Sequence, residues 1–176
     1  MGDVVYYPYF LKVEDRDVIL LWFNGKDGDV FFKLNEKKLF SESTQDSACV
    51  RAKELGLFIE WEDVNVIVDF NRLHSAVNSL KANESISEEV CVLLLEGWNF
   101  LEDLFRIFPE KSKEVSLNTS MLKKFYQKLF YGNNLEAVKK NNETYNPVFS
   151  EEEVNEFIGN MRGGVQFSTD LIRNNM

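Results

Sequence analysis

Asp17-Val18-Ile19-Leu20-Leu21-Trp22-Phe23-Asn24-Gly25-Lys26-Asp27-Gly28-Asp29-Val30-Phe31-Phe32-Lys33-Leu34 is the stretch on which the first half of the chain turns. Two runs of β-branched, aliphatic and aromatic residues flank Asn24-Gly25-Lys26-Asp27-Gly28-Asp29. Asn, Asp and Gly tolerate the backbone angles of tight turns, so the stretch predicts a β-hairpin with strands over 17–23 and 30–34. Upstream, residues 4–13 are aromatic and β-branched and predict a further strand. Pro8 marks an edge or a bulge in it, because proline has no amide to give to a ladder. Downstream, residues 46–56 predict a helix with Ala48, Ala52 and Leu55 on one face and Gly56 as its stop. Residues 57–62 and 64–70 predict two more strands, and Leu73, Ala76, Val77 and Leu80 set a helix over 71–81.

The second half predicts helices alone. Residues 87–108 carry Val90, Leu94, Trp98, Leu101, Phe105 and Phe108 at steps of three and four, and Pro109 ends the run. Residues 121–131 place Leu122, Phe125, Tyr126, Leu129 and Phe130 on one face, with Lys123, Lys124 and Lys128 away from it. Ser150-Glu151-Glu152-Glu153 is a capping box. The helix it opens buries Val154, Phe157, Ile158 and Met161 and is expected to stop at Gly163-Gly164, leaving 165–173 as a short helical or irregular tail. The expected class is α+β: a small antiparallel sheet with interspersed helices, then a C-terminal group of three or four helices, the helices packed on one sheet face. One domain over 1–176 is expected. Residues 83–86 would mark the joint between a sheet-rich half (1–82) and a helical half (83–176), but the 87–108 helix is apolar around much of its girth and needs cover on both sides.

The chain has 176 residues, 20 of them basic and 29 acidic, so its formal charge is −9. An apolar fraction of 44% supports a packed core and argues against disorder. The acidity works against binding a bare phosphate backbone and favours a basic partner, which opposite charge would steer into contact. Met1-Gly2-Asp3-Val4-Val5-Tyr6 is not a secretory signal, and Tyr6 stands where a myristoylation motif wants Ser or Thr. The longest apolar runs, 18–23 and 90–95, fall far short of the ~20 residues that span a bilayer. A cytoplasmic protein is expected, with Cys49 and Cys91 as reduced thiols and no meaning in the glycosylation triplets at Asn83, Asn118 and Asn142.

The charge is patterned. Residues 82–105 hold Glu84, Glu88, Glu89, Glu96, Glu102 and Asp103 with no Lys or Arg; residues 57–71 hold Glu60, Glu62, Asp63 and Asp69, again with none. Residues 111–140 have seven Lys against Glu114 and Glu136. Acidic side chains at helix starts also have a plain structural account, since they complement the helix dipole. Glu60-Trp61-Glu62-Asp63 suits docking against a cleft of Arg and Lys, with Trp61 as anchor; alternatively, Trp61 points into the core and the carboxylates are simply solvated. The partner-binding candidates are thus Glu60, Trp61, Glu62, Asp63, Asp69, Glu84, Glu88, Glu89, Glu102 and Asp103.

Chemistry is sparse. His74 is the only histidine, and a pairing with Cys49 or Cys91 would have to be made by the fold. There is no Cys-x-x-Cys, no His-Glu-x-x-His, no phosphate-binding glycine loop and no Gly-x-Ser-x-Gly. Asp27-Gly28-Asp29 lacks the rest of a calcium loop and is hairpin turn. The lysines of the 121–131 helix could touch phosphate, against the field of the whole molecule. No catalytic residue, metal or cofactor is expected, and a binder is favoured over an enzyme.

Leu39-Phe40-Ser41, Ala48, Ala52-Lys53, Gly56, Ile59-Glu60-Trp61 and Val68-Asp69-Phe70 follow one another as a short aromatic-led element, an Ala-bearing helix, a Gly stop and an acidic strand. Over residues 30–75 this resembles the small acidic immunity proteins of bacterial contact-dependent growth inhibition and related polymorphic toxin systems. The C-terminal helices share nothing with that pattern. The resemblance implies a non-catalytic cytoplasmic protein that binds the C-terminal toxin domain of an effector, a nuclease such as a tRNase, and covers its cationic active site, its carboxylates standing in for phosphates. It leaves the oligomeric state open. Two other readings stand beside it: an adaptor that takes a helix or peptide in an aromatic groove, and an enzyme in which Glu102, Asp103 and His74 converge in a deep pocket.

Overall fold

The computed structural model describes residues 4–26, 28–61, 67–137 and 143–175. The protein is α+β, with an antiparallel-rich, curled sheet and a C-terminal helix group. In chain order the elements are β1 (Val5–Val13), β2 (Arg16–Gly25), β3 (Gly28–Phe31), β4 (Lys33–Asn35), β5 (Lys38–Leu39), β6 (Ser41–Glu42), α1 (Gln45–Glu54), β7 (Phe58–Ile59), β8 (Val68–Asp69), α2 (Phe70–Ser79), α3 (Glu88–Ile107), α4 (Ser120–Gly132) and α5 (Glu151–Arg173). A 3₁₀ turn, Lys111–Lys113, lies between α3 and α4.

The expected hairpin is present as β2 and β3, paired antiparallel with Trp22 opposite Phe31 and Gly25 opposite Gly28, but its turn is tighter than 24–29 and its second strand ends at Phe31, Lys33–Asn35 pairing with β5 in a separate sheet instead. A second hairpin joins β1 to β2 through Glu14 and Asp15, which adopt φ of 49° and 62°. Positive φ at both central residues matches the right-handed strand twist, but Glu-Asp is not the usual residue pair for it. β1 is an interior strand and carries no bulge: its register with β2 is unbroken from Tyr7↔Trp22 to Val13↔Arg16. On its other side β7 pairs in parallel with Val5 and Tyr6, and β8 with Leu11 and Lys12. Pro8 falls between these two short pairings. The carbonyls of Tyr6 and Phe10 face that side, taking the Glu60 and Ile67 amides, so the amide that proline lacks belongs to the one interval without a described partner. Of the strands expected over 57–62 and 64–70, the described part pairs over two residues each.

Strand alternation divides the interior in two. Tyr9, Leu11 and Val13 of β1, Val18, Leu20 and Trp22 of β2, and Phe31 of β3 face the main core with α2 to α5. Tyr6, Phe10, Ile19 and Leu21 face the other way, onto a smaller cluster with Phe32, Phe40, Ala48, Ile59 and Trp61. α1 therefore covers the sheet face opposite α2 and α3, and the expectation that every helix would share one face is corrected. The reason lies in β2: Val18-Ile19-Leu20-Leu21 is buried at every position, and an unbroken apolar strand needs cover on both sides.

Each long helix is capped as its sequence directs. Thr44, Asp69, Ser87, Thr119 and Ser150 accept backbone amides at the starts of α1 to α5, and Ser150 and Glu153 form the expected reciprocal box. Gly56 ends α1 at φ 67°. Gly163-Gly164 does not end α5, which continues to Arg173. These glycines serve close approach: a Cβ on Gly164 would come within 2.6 Å of Leu101 Cδ1, and one on Gly163 within 3.1 Å of Val115. Gly97 does the same between α3 and α2, where a Cβ would meet Leu73 at 2.5 Å. Around α3 the main core runs from Leu11 to Ile172, with Phe125 stacked between Phe149 and Phe157 at centroid distances of 3.9 and 4.1 Å. Among the described residues no helix is long and apolar enough to cross a membrane.

Two helical glycines of α5 separate propensity from packing. Gly159→Ala meets nothing within 4 Å and should gain up to about 1 kcal/mol of stability. Gly164→Ala gains the same propensity but overpacks against the fully buried Leu101, for a net loss of roughly 1–2 kcal/mol. Denaturant midpoints of the two variants read the difference; equal gains would show that the α3–α5 contact is not tight.

Candidate functional site: a carboxylate seam along α3 and an aromatic cleft

α3 is buried over most of its circumference, through Cys91, Leu94, Leu95, Gly97, Trp98, Phe100, Leu101, Leu104 and Phe105. Its acidic residues are squeezed onto what remains. Glu89, Glu96 and Asp103 recur every seven residues, two helical turns, and so form one seam. Cations meet it from its flanks. Arg72 of α2 donates to Glu89 at 2.8 Å, and its charge also acts on Glu96. Arg106, one turn beyond Asp103, donates to Asp103 Oδ1 at 3.1 Å and to the Asp29 carbonyl of β3 at 2.6 Å, tying the end of α3 to the hairpin.

Where the seam meets the sheet there is a cleft of about 150 Å³, walled by Tyr9, Trp22, Phe31 and Ile67 and edged by Asp29 and Asp103. Its aromatic walls come from three adjacent strands on the same sheet face. Tyr9 stands edge-on to Phe31 at 5.1 Å, and Phe100 of α3 packs against both. Asp103 is half-buried here. Loss of solvent pushes its carboxyl up to about 6; Arg106 opposes this, while Asp29 and Glu102 add to it. Burial raises Glu96 as well, with Arg72 opposing. The Tyr9 phenol is also raised, first by burial and then by Asp103 and Glu96, and stays neutral.

The ten candidate residues do not form one patch. Glu60 is exposed beyond β7, and Trp61 packs its half-buried ring on the smaller cluster, across the sheet from α3. Glu62 and Asp63 lie outside the described residues. Asp69 is occupied as the N-cap of α2, accepting from the Asn71 and Arg72 amides. Glu84 pairs with Lys81, Glu89 with Arg72, and Asp103 with Arg106. Glu88 and Glu102 are in no ion pair among the described residues. Glu102 instead edges a separate groove of about 470 Å³ with Phe105, Arg106, Pro109, Val115 and Leu117. His74 is exposed on α2 beside Asn78 and joins neither cavity, so His74, Glu102 and Asp103 do not converge. Cys49, on α1, and Cys91, in the main core, sit on opposite sides of the sheet.

Lys128 corrects another expectation. It is not free for phosphate: it holds Glu153 at 2.7 Å, donates to the Val148 carbonyl and lies 5.2 Å from the Phe149 ring, joining α4 to α5. Burial acts to raise the Glu153 carboxyl, but its bonds from Lys128 and Ser150 prevail and lower it.

Tyr9, Trp22, Phe31, Glu96, Arg72 and Arg106 were not among the candidates. The seven-residue spacing of Glu89, Glu96 and Asp103 was a usable signal for the seam, and the alternation of residues 4–13 for Tyr9. Arg106 stands three residues after Asp103, a pairing legible on a helix, but nothing local linked it to Tyr9 or to Asp29. Set beside known proteins, the chain matches no family, no curated sequence and no solved structure.

Asp103 has a predictable effect on stability. Folded, it keeps its proton to about pH 6; unfolded, it releases it near 3.8. Between those values the folded state binds more protons, so stability from this group is present below the window and lost as pH rises through it. The melting temperature of Asp103→Asn minus that of the parent should therefore move in the variant's favour from about pH 4 to about pH 7 and then level off. Glu153 titrates in both proteins and drops out of the difference. A flat difference would mean that Asp103 titrates as in water.

Proposed function

We propose that the protein is an immunity-type inhibitor: a cytoplasmic, non-catalytic binder that seats its α3 carboxylates in the cationic active site of a toxin domain, a nuclease by the resemblance of residues 30–75. The observation that carries this reading is the run of carboxylates along α3, in which Glu88, Glu96 and Glu102 form no ion pair among the described residues while Arg72 meets Glu89 and Arg106 meets Asp103. A row of carboxylates on a rigid helix offers the Arg and Lys side chains of such a cleft the charge and acceptor oxygens that phosphates would offer. The formal charge of −9 extends the attraction beyond contact distance, so association should be fast and should slow with added salt. The Glu60–Trp61 cluster adds less than expected, because Trp61 is packed against the protein's own core.

A second reading has one observation in its favour. An open groove of about 610 Å³ is lined by Val4, Val5, Tyr6, Gly56, Leu57 and Phe58 at the β7 end of the sheet. Phe58 is 62% exposed, and Val50 of neighbouring α1 is 59% exposed. Such a surface suits an adaptor that docks an apolar peptide.

The product of the neighbouring reading frame should co-purify with this protein and be neutralised by it. Glu88→Lys combined with Glu102→Lys should slow association at low salt by at least about tenfold while shifting stability by no more than about 1 kcal/mol. Phe58→Asp should leave both unchanged. Binding lost in Phe58→Asp and kept in the α3 variant would replace the inhibitor reading with the adaptor; no binding and no protection would end it.

A further inference from the structure

The cleft between Tyr9, Trp22, Phe31 and Ile67 is separate from the exposed carboxylates of the seam, and its chemistry is narrower. Its volume of about 150 Å³ lies below the roughly 300–1,000 Å³ of sites for whole small molecules, so it is sized for one side chain. Its walls are aromatic, with a carboxylate on each of two edges, Asp29 on β3 and Asp103 on α3. Asp29 and Glu102 act electrostatically on Asp103 here with Arg106 opposing, and Glu96, itself opposed by Arg72, adds a further negative charge beside Tyr9. Four carboxylates against two guanidiniums leave −4 + 2 = −2 beside an apolar slot.

We propose that this cleft is the receptor for a lysine side chain of the protein partner: the tetramethylene stem lies along Trp22 and Ile67, and the ammonium sits against the Tyr9 and Phe31 rings and bonds Asp103 Oδ2. Aromatic faces attract such a cation, and the aliphatic stem covers apolar wall that water otherwise wets. Lysine is selected over arginine by what Arg106 already does. Arg106 occupies Asp103 Oδ1, so the two-oxygen fork that a second guanidinium needs is broken, whereas an ammonium is a point charge that needs one oxygen. The Asp29 side chain is engaged by Asn24 at 3.3 Å and contributes charge to the edge of the slot. The site rests on the inhibitor reading for the identity of its partner. For its chemistry it rests only on the cleft.

The test uses small probes on the intact chain, with the indole N–H signal of Trp22 followed by NMR. n-Butylammonium should shift that signal saturably in the millimolar range. 1-Butanol, with the same stem and no charge, and n-propylguanidinium, with the wrong head, should each bind at least about tenfold more weakly. Asp103→Asn, close to the same shape, should weaken n-butylammonium by about tenfold and leave 1-butanol unchanged. Equal shifts from the alcohol and the ammonium, or no saturable shift with the ammonium, would overturn the lysine site. Because the probes need no toxin, the two proposals fail separately. A partner bound and neutralised as before by Asp103→Asn, with no ammonium binding in the parent, removes the cleft and keeps the inhibitor. Selective ammonium binding without a cationic partner does the reverse.

Discussion

Leu20 and Leu21 are adjacent in β2, point to opposite faces of the sheet, and are both fully shielded from water. Burial of a leucine is worth about 1.5–3 kcal/mol relative to exposure, so uncovering either face would forfeit that gain several times over along Val18–Leu21. The strand must be sandwiched. One cover is the α2–α3 layer with α4 and α5 behind it; the other is α1 with Phe32, Leu34, Phe40, Leu57, Ile59 and Trp61. The route of the chain follows. After β3 the chain rejoins the sheet as β6 before α1 covers the lower face, then returns through β7 and β8, which pair with β1 in parallel, to start the helices on the upper face.

That requirement also places the charge. α3 is enclosed by the sheet, α2, α4 and α5, so its dry arc is wide and its wet arc narrow, and its carboxylates have little room to disperse. Those nearest the sheet lose part of their water, which is why Asp103 and Glu96 hold protons more tightly than free carboxylates. Arg72 answers from α2 and Arg106 from the last turn of α3 itself, and together they neutralise only part of the seam. The cleft forms where the seam meets the sheet, because Tyr9, Trp22 and Phe31 point toward α3 from three adjacent strands.

Much of this architecture was legible in the linear chain where the signal was local. The β2–β3 hairpin, the cap at Ser150, the Gly56 stop and the extents of α2, α3 and α4 all depend on residues within a turn or two of one another. The misreadings have a common origin. Gly163-Gly164 has the composition of a helix stop but meets the demand of Leu101 and Val115 for close approach. Pro8 has the composition of an edge but sits between two partners. Glu14-Asp15 turns the chain without a turn-like composition, held by the pairing of β1 with β2. The run Val18–Leu21 did carry its message, an apolar strand too continuous to be wet on either side.

By itself, then, the sequence determined the α+β class, the helix boundaries set by caps, and the acidity of the α3 segment, since periodicity, capping and charge are properties of neighbours along the chain. Tertiary structure alone decided which carboxylates stay unmatched, that Trp61 packs inward while Glu60 does not, that Lys128 belongs to Glu153, and that Tyr9 and Asp103 edge one cleft. The physical reason is that an ion pair or a desolvated carboxylate depends on what packing delivers from distant parts of the chain, and such encounters leave no trace in local composition.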